Sequence, residues 1–117
     1  MKKQVSKFDE FEMTLPALGE HVGRVLTYKL VTEAEAGEGK QPYYAVTIEA
    51  KDCAIQTRIY GGRVAYFMGA IARQTEGAVA GMRFTQVLDY LMKHDFSVWA
   101  TWDDKYGMQY NYSAPRN

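Results

Sequence analysis

The chain of 117 residues is long enough for one domain with a modest core, and its 47% apolar and 24% charged content is that of an ordinary globular protein. Net charge is zero, from 14 basic and 14 acidic residues, which excludes a protein that coats nucleic acid by bulk positive charge alone. The single cysteine, Cys53, excludes an intrachain disulfide, and no stretch is apolar enough to span a membrane.

The opening, MKKQVSKFDEFEM, has no apolar run after its lysines and does not read as a signal peptide, so a cytoplasmic location is expected. Residues 1–8 are basic and expected to be mobile. Phe11, Met13 and Leu15 alternate with Glu12 and Thr14, which suggests a short strand over 10–15 before Pro16 and Gly19. His21 to Thr32 is β-rich, with Val22, Leu26, Tyr28 and Leu30 on one face and Val25, Thr27, Lys29 and Val31 on the other. Two partly apolar faces suit one long strand, bent near Gly23, that serves two parts of a small barrel. Glu33 to Gln41 reads as a solvated acidic loop; its Gly-Glu-Gly-Lys lacks the spacing of a phosphate loop.

In Pro42 to Lys51, Tyr44, Val46, Ile48 and Ala50 alternate with Tyr43, Ala45, Thr47 and Glu49, a strand pattern. Its partner over 53–60 places Cys53, Ile55, Thr57 and Ile59 inward and Gln56, Arg58 and Tyr60 outward. After Gly61-Gly62 the period switches. Val64, Phe67, Met68 and Ile71 form one stripe of a helix over 63–74. A small-residue loop follows, and Thr85 is placed to cap a second helix over 85–93 with Val87, Leu88, Leu91 and Met92 buried. Phe96, Val98 and Ala100 then alternate with Ser97, Trp99 and Thr101. Asp103 to Gly107 has turn composition, and Met108, Tyr110 and Tyr112 resume the alternation, so 96–102 and 108–113 predict a hairpin. The expected core is Val46, Ile48, Ile55, Ile59, Phe67, Ile71, Leu88, Leu91 and Val98.

Catalytic material is scarce. His94-Asp95 is similar to a metal-ligand pair, but His21 is the only other histidine. Asp103-Asp104 reads as a pair of turn formers, and no nucleophile or zinc spacing appears. No enzyme, cofactor or metal is expected. The binding signal is better. Tyr43, Tyr60 and Trp99 fall on the polar-facing sides of three strands together with Gln56, Arg58, Ser97 and Thr101. Trp102 and Tyr106 lie near the hairpin turn, and Arg58, Arg63, Arg73 and Arg83 fall close together in mid-chain. Aromatic platforms interleaved with cations are how proteins hold single-stranded nucleic acid. The same aromatics also suit strand formers half covered by loops or by a second subunit.

Five strands with helix between the third and fourth is the order of an OB-fold barrel. On GEHVGRVLTYKLV leading into GEGKQPYYAVTIEA, on IQTRIY followed by YFMGAIARQ, and on LDYLMKHDFSVWATWDDKYGMQYNYSAP, the chain resembles the small OB-fold single-stranded-DNA-binding proteins of bacteriophages and related mobile elements. The resemblance covers most of residues 19–115. It implies ssDNA binding in replication or recombination, without a cofactor and commonly as a homo-oligomer. The resulting expectation is one mainly β (α+β) domain over 1–117, a five-stranded OB-like barrel with two short helices between strands 3 and 4. Tyr43, Tyr60, Trp99 and Trp102 are expected to stack bases of ssDNA or RNA, with Tyr106 beside them. Arg58, Arg63 and Lys29 are expected to contact phosphates. The alternative is a protein–protein interaction module that uses the same aromatic face.

Overall fold

The computed structural model describes residues 15–115. The segment expected to be mobile, and all but Leu15 of the strand expected at 10–15, lie outside them. The chain runs β1 (Gly19–Val31), a helical turn α1 (Glu33–Ala36), β2 (Tyr43–Ala50), β3 (Ala54–Tyr60), a 3-10 turn (Gly61–Arg63), α2 (Val64–Gln74), α3 (Phe84–Leu91), β4 (Phe96–Asp103) and β5 (Gly107–Asn111). All pairings are antiparallel and build one five-stranded sheet in the order β3-β2-β1-β4-β5. The fold is mainly β with a few short helices.

β1 serves both halves of the sheet. Gly19 to Gly23 pair with β4, and Gly23 to Val31 pair with β2. Gly23 is the residue common to both ladders, opposite Ala50 and Phe96. A Cβ there would lie 2.9 Å from Ala50 Cα and closer still to the Glu49 carbonyl oxygen, so only glycine admits this approach. The expected face assignment along β1 needs correction. A bulge between Val25 and Thr27 gives Leu26 no opposite residue and shifts the phase by one. Val25 is therefore buried, Tyr28 packs against the core beyond the bulge, and Val22, Leu26 and Leu30 are exposed, at 49%, 52% and 44%.

α2 and α3 share the core with the sheet's inner face. All nine residues expected in the core are buried. Tyr28 ties β1 to α3 by donating its hydroxyl to Asp89 Oδ1 at 2.5 Å. Three local expectations are corrected. Met92 is exposed, because α3 ends at Leu91. Thr85 lies inside α3 rather than capping it; the helix starts one residue earlier, and the N-cap residue Arg83 donates its backbone N–H to Gln86 Oε1 at 2.8 Å. The 33–41 loop contains α1, because Thr32 and Glu35 form a capping box.

Five strands with two helices between the third and fourth are found as expected. Among the described residues no ladder joins β3 to β5. Past the end of β5, helix side chains take the backbone groups that a neighbouring strand would use. Tyr112 N–H donates to the Tyr66 hydroxyl at 2.9 Å, and Tyr112 C=O accepts from Gln74 Nε2 at 2.7 Å. The buried Tyr112 ring packs edge-on against Phe67, 4.7 Å between centroids.

Burial pushes the Tyr112 hydroxyl up to about 12. A folded value above the ordinary ~10 means that its stabilising effect is complete below about pH 10 and is lost as pH rises through about 12. The expected result is a urea midpoint that is flat from pH 7 to 9 and falls above pH 10. In Tyr112→Phe the alkaline fall should shrink by up to roughly 2–3 kcal/mol. An unchanged alkaline profile in that variant would mean that the hydroxyl is hydrated in the native state.

Candidate nucleic-acid interface

The outer face of β1, β2 and β3 carries a compact polar and aromatic cluster set by register. Ala45 of β2 lies opposite Lys29 on one side and Arg58 on the other. In the next row Tyr43 lies between Val31 and Tyr60, and in the row beyond Ala45, Thr47 lies between Thr27 and Gln56. Period-2 alternation sends these side chains out while Val46, Ile48, Ile55 and Ile59 go in. Tyr43 and Tyr60 lean together with ring centroids 5.3 Å apart and planes at 47°. The Arg58 guanidinium lies 4.6 Å from the Tyr43 ring centroid, a cation–π distance. The Tyr60 hydroxyl beside it, more than the neighbouring Tyr43, holds the guanidinium even more firmly protonated than usual. Ala45 has no bulk, so the row between Lys29 and Arg58 has a shallow floor.

The loop after β1 walls one end of this face. Glu35, Ala36, Gly39, Lys40 and Gln41 enclose, with Tyr43, Arg58 and Tyr60, a groove of about 450 Å³. A second depression of about 480 Å³ shares Tyr43 and Arg58 and runs on past Ala45, Thr47 and Gln56. The two form a trough along the outer sheet. Lys29 Nζ is 3.1 Å from Glu35 Oε2. That hydrogen bond to Lys29, followed by the Thr32 backbone, lowers the Glu35 carboxyl below its ordinary range.

Of the residues expected to act together, the fold gathers Tyr43, Arg58 and Tyr60, with Lys29 across Ala45. The others lie elsewhere. Arg63 sits beyond the Gly61-Gly62 step with its guanidinium 4.5 Å from the Tyr66 ring centroid. Trp99 is half-buried in the row between Glu20 and Asn111, on the other wall of the sheet. Glu20 and Val31 are separated by roughly 35 Å of strand at ~3.3 Å per residue. Trp102 and Tyr106, 55% and 70% exposed, mark the β4–β5 turn, where Lys105 Nζ is 5.2 Å from the Tyr106 ring centroid. The turn is formed by Asp103 Oδ1, which accepts from the Lys105 and Tyr106 amides at 2.8 and 2.9 Å. The expected single aromatic face is therefore three separate groups.

Sequence reasoning passed over Glu35, Lys40 and Gln41 by treating 33–41 as solvated loop. The Thr32-x-x-Glu35 spacing of a capping box was the available signal. The remaining titratable candidates are held in structural contacts. His94 stacks on Tyr90 at 4.0 Å, and Asp95 Oδ1 accepts from Arg24 Nε at 2.7 Å. Cys53 Sγ lies 3.7 Å from His21 Nδ1. Among the described residues no group of three or more His, Cys, Asp or Glu is placed to hold a metal, and no helix is long and apolar enough to cross a membrane.

Compared with known proteins, the chain matches no family model, no curated protein and no solved structure.

Proposed function

We propose that this protein binds single-stranded nucleic acid, DNA in the first instance, without catalysis, on the outer face of β1, β2 and β3. The observation that carries this reading is the adjacency of Tyr43, Tyr60 and Arg58 in a trough open at the surface, with Lys29 of β1 beside it across Ala45. Bases stack on the tyrosines, chiefly on Tyr60, since Arg58 already covers one face of Tyr43. Arg58 and Lys29 meet phosphates on either side of Ala45. A longer strand following β1 reaches Trp99; Arg63, Trp102 and Tyr106 are auxiliary sites. Strand order and helix placement support an OB-like barrel, and with it a role in the replication or recombination of a phage or mobile element, in the cytoplasm, as a monomer or homo-oligomer.

Anisotropy of labelled oligo-dT is the test, because the tryptophans lie away from the face. Tyr60→Ala is expected to weaken binding by roughly 1–3 kcal/mol. Arg58→Ala should weaken it and reduce the log–log salt slope by about 0.7–1. No anisotropy change with micromolar wild-type protein at low salt would remove the reading.

A second reading, a protein-interaction module, has its own observation. Val22, Leu26 and Met92 are exposed together around a depression that also includes Arg24 and Asp95. An exposed apolar group of this kind suits a protein partner or a second copy. Under it, Leu26→Glu shifts the sedimentation coefficient or abolishes a partner complex, and oligo-dT has no effect at any salt.

A further inference from the structure

The two cations of the proposed face are not equally available. Arg58 rests on the Tyr43 ring, while Lys29 is engaged by Glu35 at 3.1 Å. Glu35 is not a freely waving side chain. Its Oε1 accepts from Thr32 Oγ1 at 3.2 Å and from Thr32 N–H at 3.4 Å, and its own N–H donates to Thr32 Oγ1 at 3.4 Å. These bonds lock one carboxylate oxygen into the cap of α1 and leave the other for Lys29. The same residue forms part of the wall of the groove that contains Arg58, Lys40 and Tyr60. A carboxylate and a phosphodiester are both anions that accept hydrogen bonds from an ammonium group.

We propose that Glu35 is an affinity-setting residue of the nucleic-acid face: its carboxylate occupies on Lys29 the place of a strand phosphate, and a bound strand displaces it. The proposal rests on the nucleic-acid reading of this face. Exchange is physically accessible because the Lys29–Glu35 pair is exposed, with side chains 71% and 46% accessible, and exposed ion pairs are weak. Breaking the Lys29–Glu35 pair takes up part of the binding free energy, so wild-type affinity is held below what the cations alone would support. This also fits a chain of zero net charge, in which local acidic groups temper a local basic surface.

Glu35→Gln is the informative substitution. Glutamine keeps a carbonyl oxygen for the Thr32 cap and removes the charge. The expected result is oligo-dT binding roughly 2- to 5-fold tighter at low salt, the scale of one exposed charge interaction, with the gain narrowing as added salt screens the Lys29–Glu35 pair of the wild type. The gain should vanish in the Lys29→Ala background, and Glu38→Gln, on the same loop but outside the groove lining, should give a smaller change. Circular dichroism and the urea midpoint check that the variants remain folded. Wild-type binding that depends on Arg58 but is unchanged by Glu35→Gln, or a gain that survives Lys29→Ala, overturns this inference and leaves the nucleic-acid reading standing. Absence of oligo-dT binding by wild type, Glu35→Gln and Arg58→Ala alike overturns both.

Discussion

Phe67→Ala is expected to lower the unfolding free energy by about 3–5 kcal/mol, the range for truncating a buried phenylalanine. Phe67 is buried on the inner face of α2. Its ring meets Phe84 of α3 edge-on at 5.7 Å and Tyr112, just past β5, edge-on at 4.7 Å. Such aromatic pairs add roughly 0.5–1.5 kcal/mol each beyond the area they bury. Three elements meet at this ring, so they cannot all close on the cavity that alanine leaves. Urea titration followed by circular dichroism measures the loss. Phe67→Leu, which keeps much of the volume, should cost clearly less. A loss below about 0.5 kcal/mol for the alanine variant, the value of an exposed site, would place α2 with a different face on the sheet.

Gln74→Ala is expected to cost roughly 2–4 kcal/mol, a large effect for a polar residue at the end of a helix. The β4–β5 ladder ends at Trp99 opposite Asn111. Beyond that point the Gln74 amide fits between the two chains. Its Nε2 donates to Ser97 C=O at 2.8 Å and to Tyr112 C=O at 2.7 Å, and its Oε1 accepts from Ser97 N–H at 2.7 Å. Alanine leaves one N–H and two C=O groups without these partners in a partly buried place, at about 1–3 kcal/mol for each group that water does not reach. Gln74→Glu provides the discriminating control. It keeps the acceptor for Ser97 N–H but at neutral pH turns a carboxylate toward two carbonyl oxygens, so it too should destabilise, and less at low pH. Hydrogen exchange at the Ser97 amide should accelerate in Gln74→Ala. If it does not, the amide bridge is not what closes this end of the sheet.

Both positions sit on α2, and they were unequally visible in the sequence. Phe67 belongs to the stripe Val64, Phe67, Met68 and Ile71, whose spacing selects a helix and its buried face. Gln74 carries no such sign, because a glutamine near a helix end is usually solvated. Its role depends on where β4 and β5 stop pairing, a fact of tertiary register.

The strand reading follows the same division. Alternation at Val46, Ile48, Ile55, Ile59 and Val98 revealed strands and their inner faces, because each residue's direction is set by its immediate neighbours. β1 resisted the method. One bulge at Leu26 reversed the phase, and it is defined only by the register of β1 against β2. The pairing order β3-β2-β1-β4-β5, and the bonds of Tyr66 and Gln74 to the backbone past the end of β5, likewise depend on long-range packing.

The candidate interface shows where local information stops. Residue types and alternation were enough to send Tyr43, Arg58, Tyr60 and Trp99 outward. Direction is a property of one strand, whereas proximity requires knowing which strands are neighbours and at what register. Ala45 opposite both Lys29 and Arg58 makes one cluster, and the length of β1 between Glu20 and Val31 keeps Trp99 out of it. Periodicity in short windows is enough for five strands, two main helices, nine of the core residues and an outward aromatic set. Which of those aromatics stand together, and that Glu35 occupies Lys29, follow instead from ladders and a capped turn that join residues from separate segments.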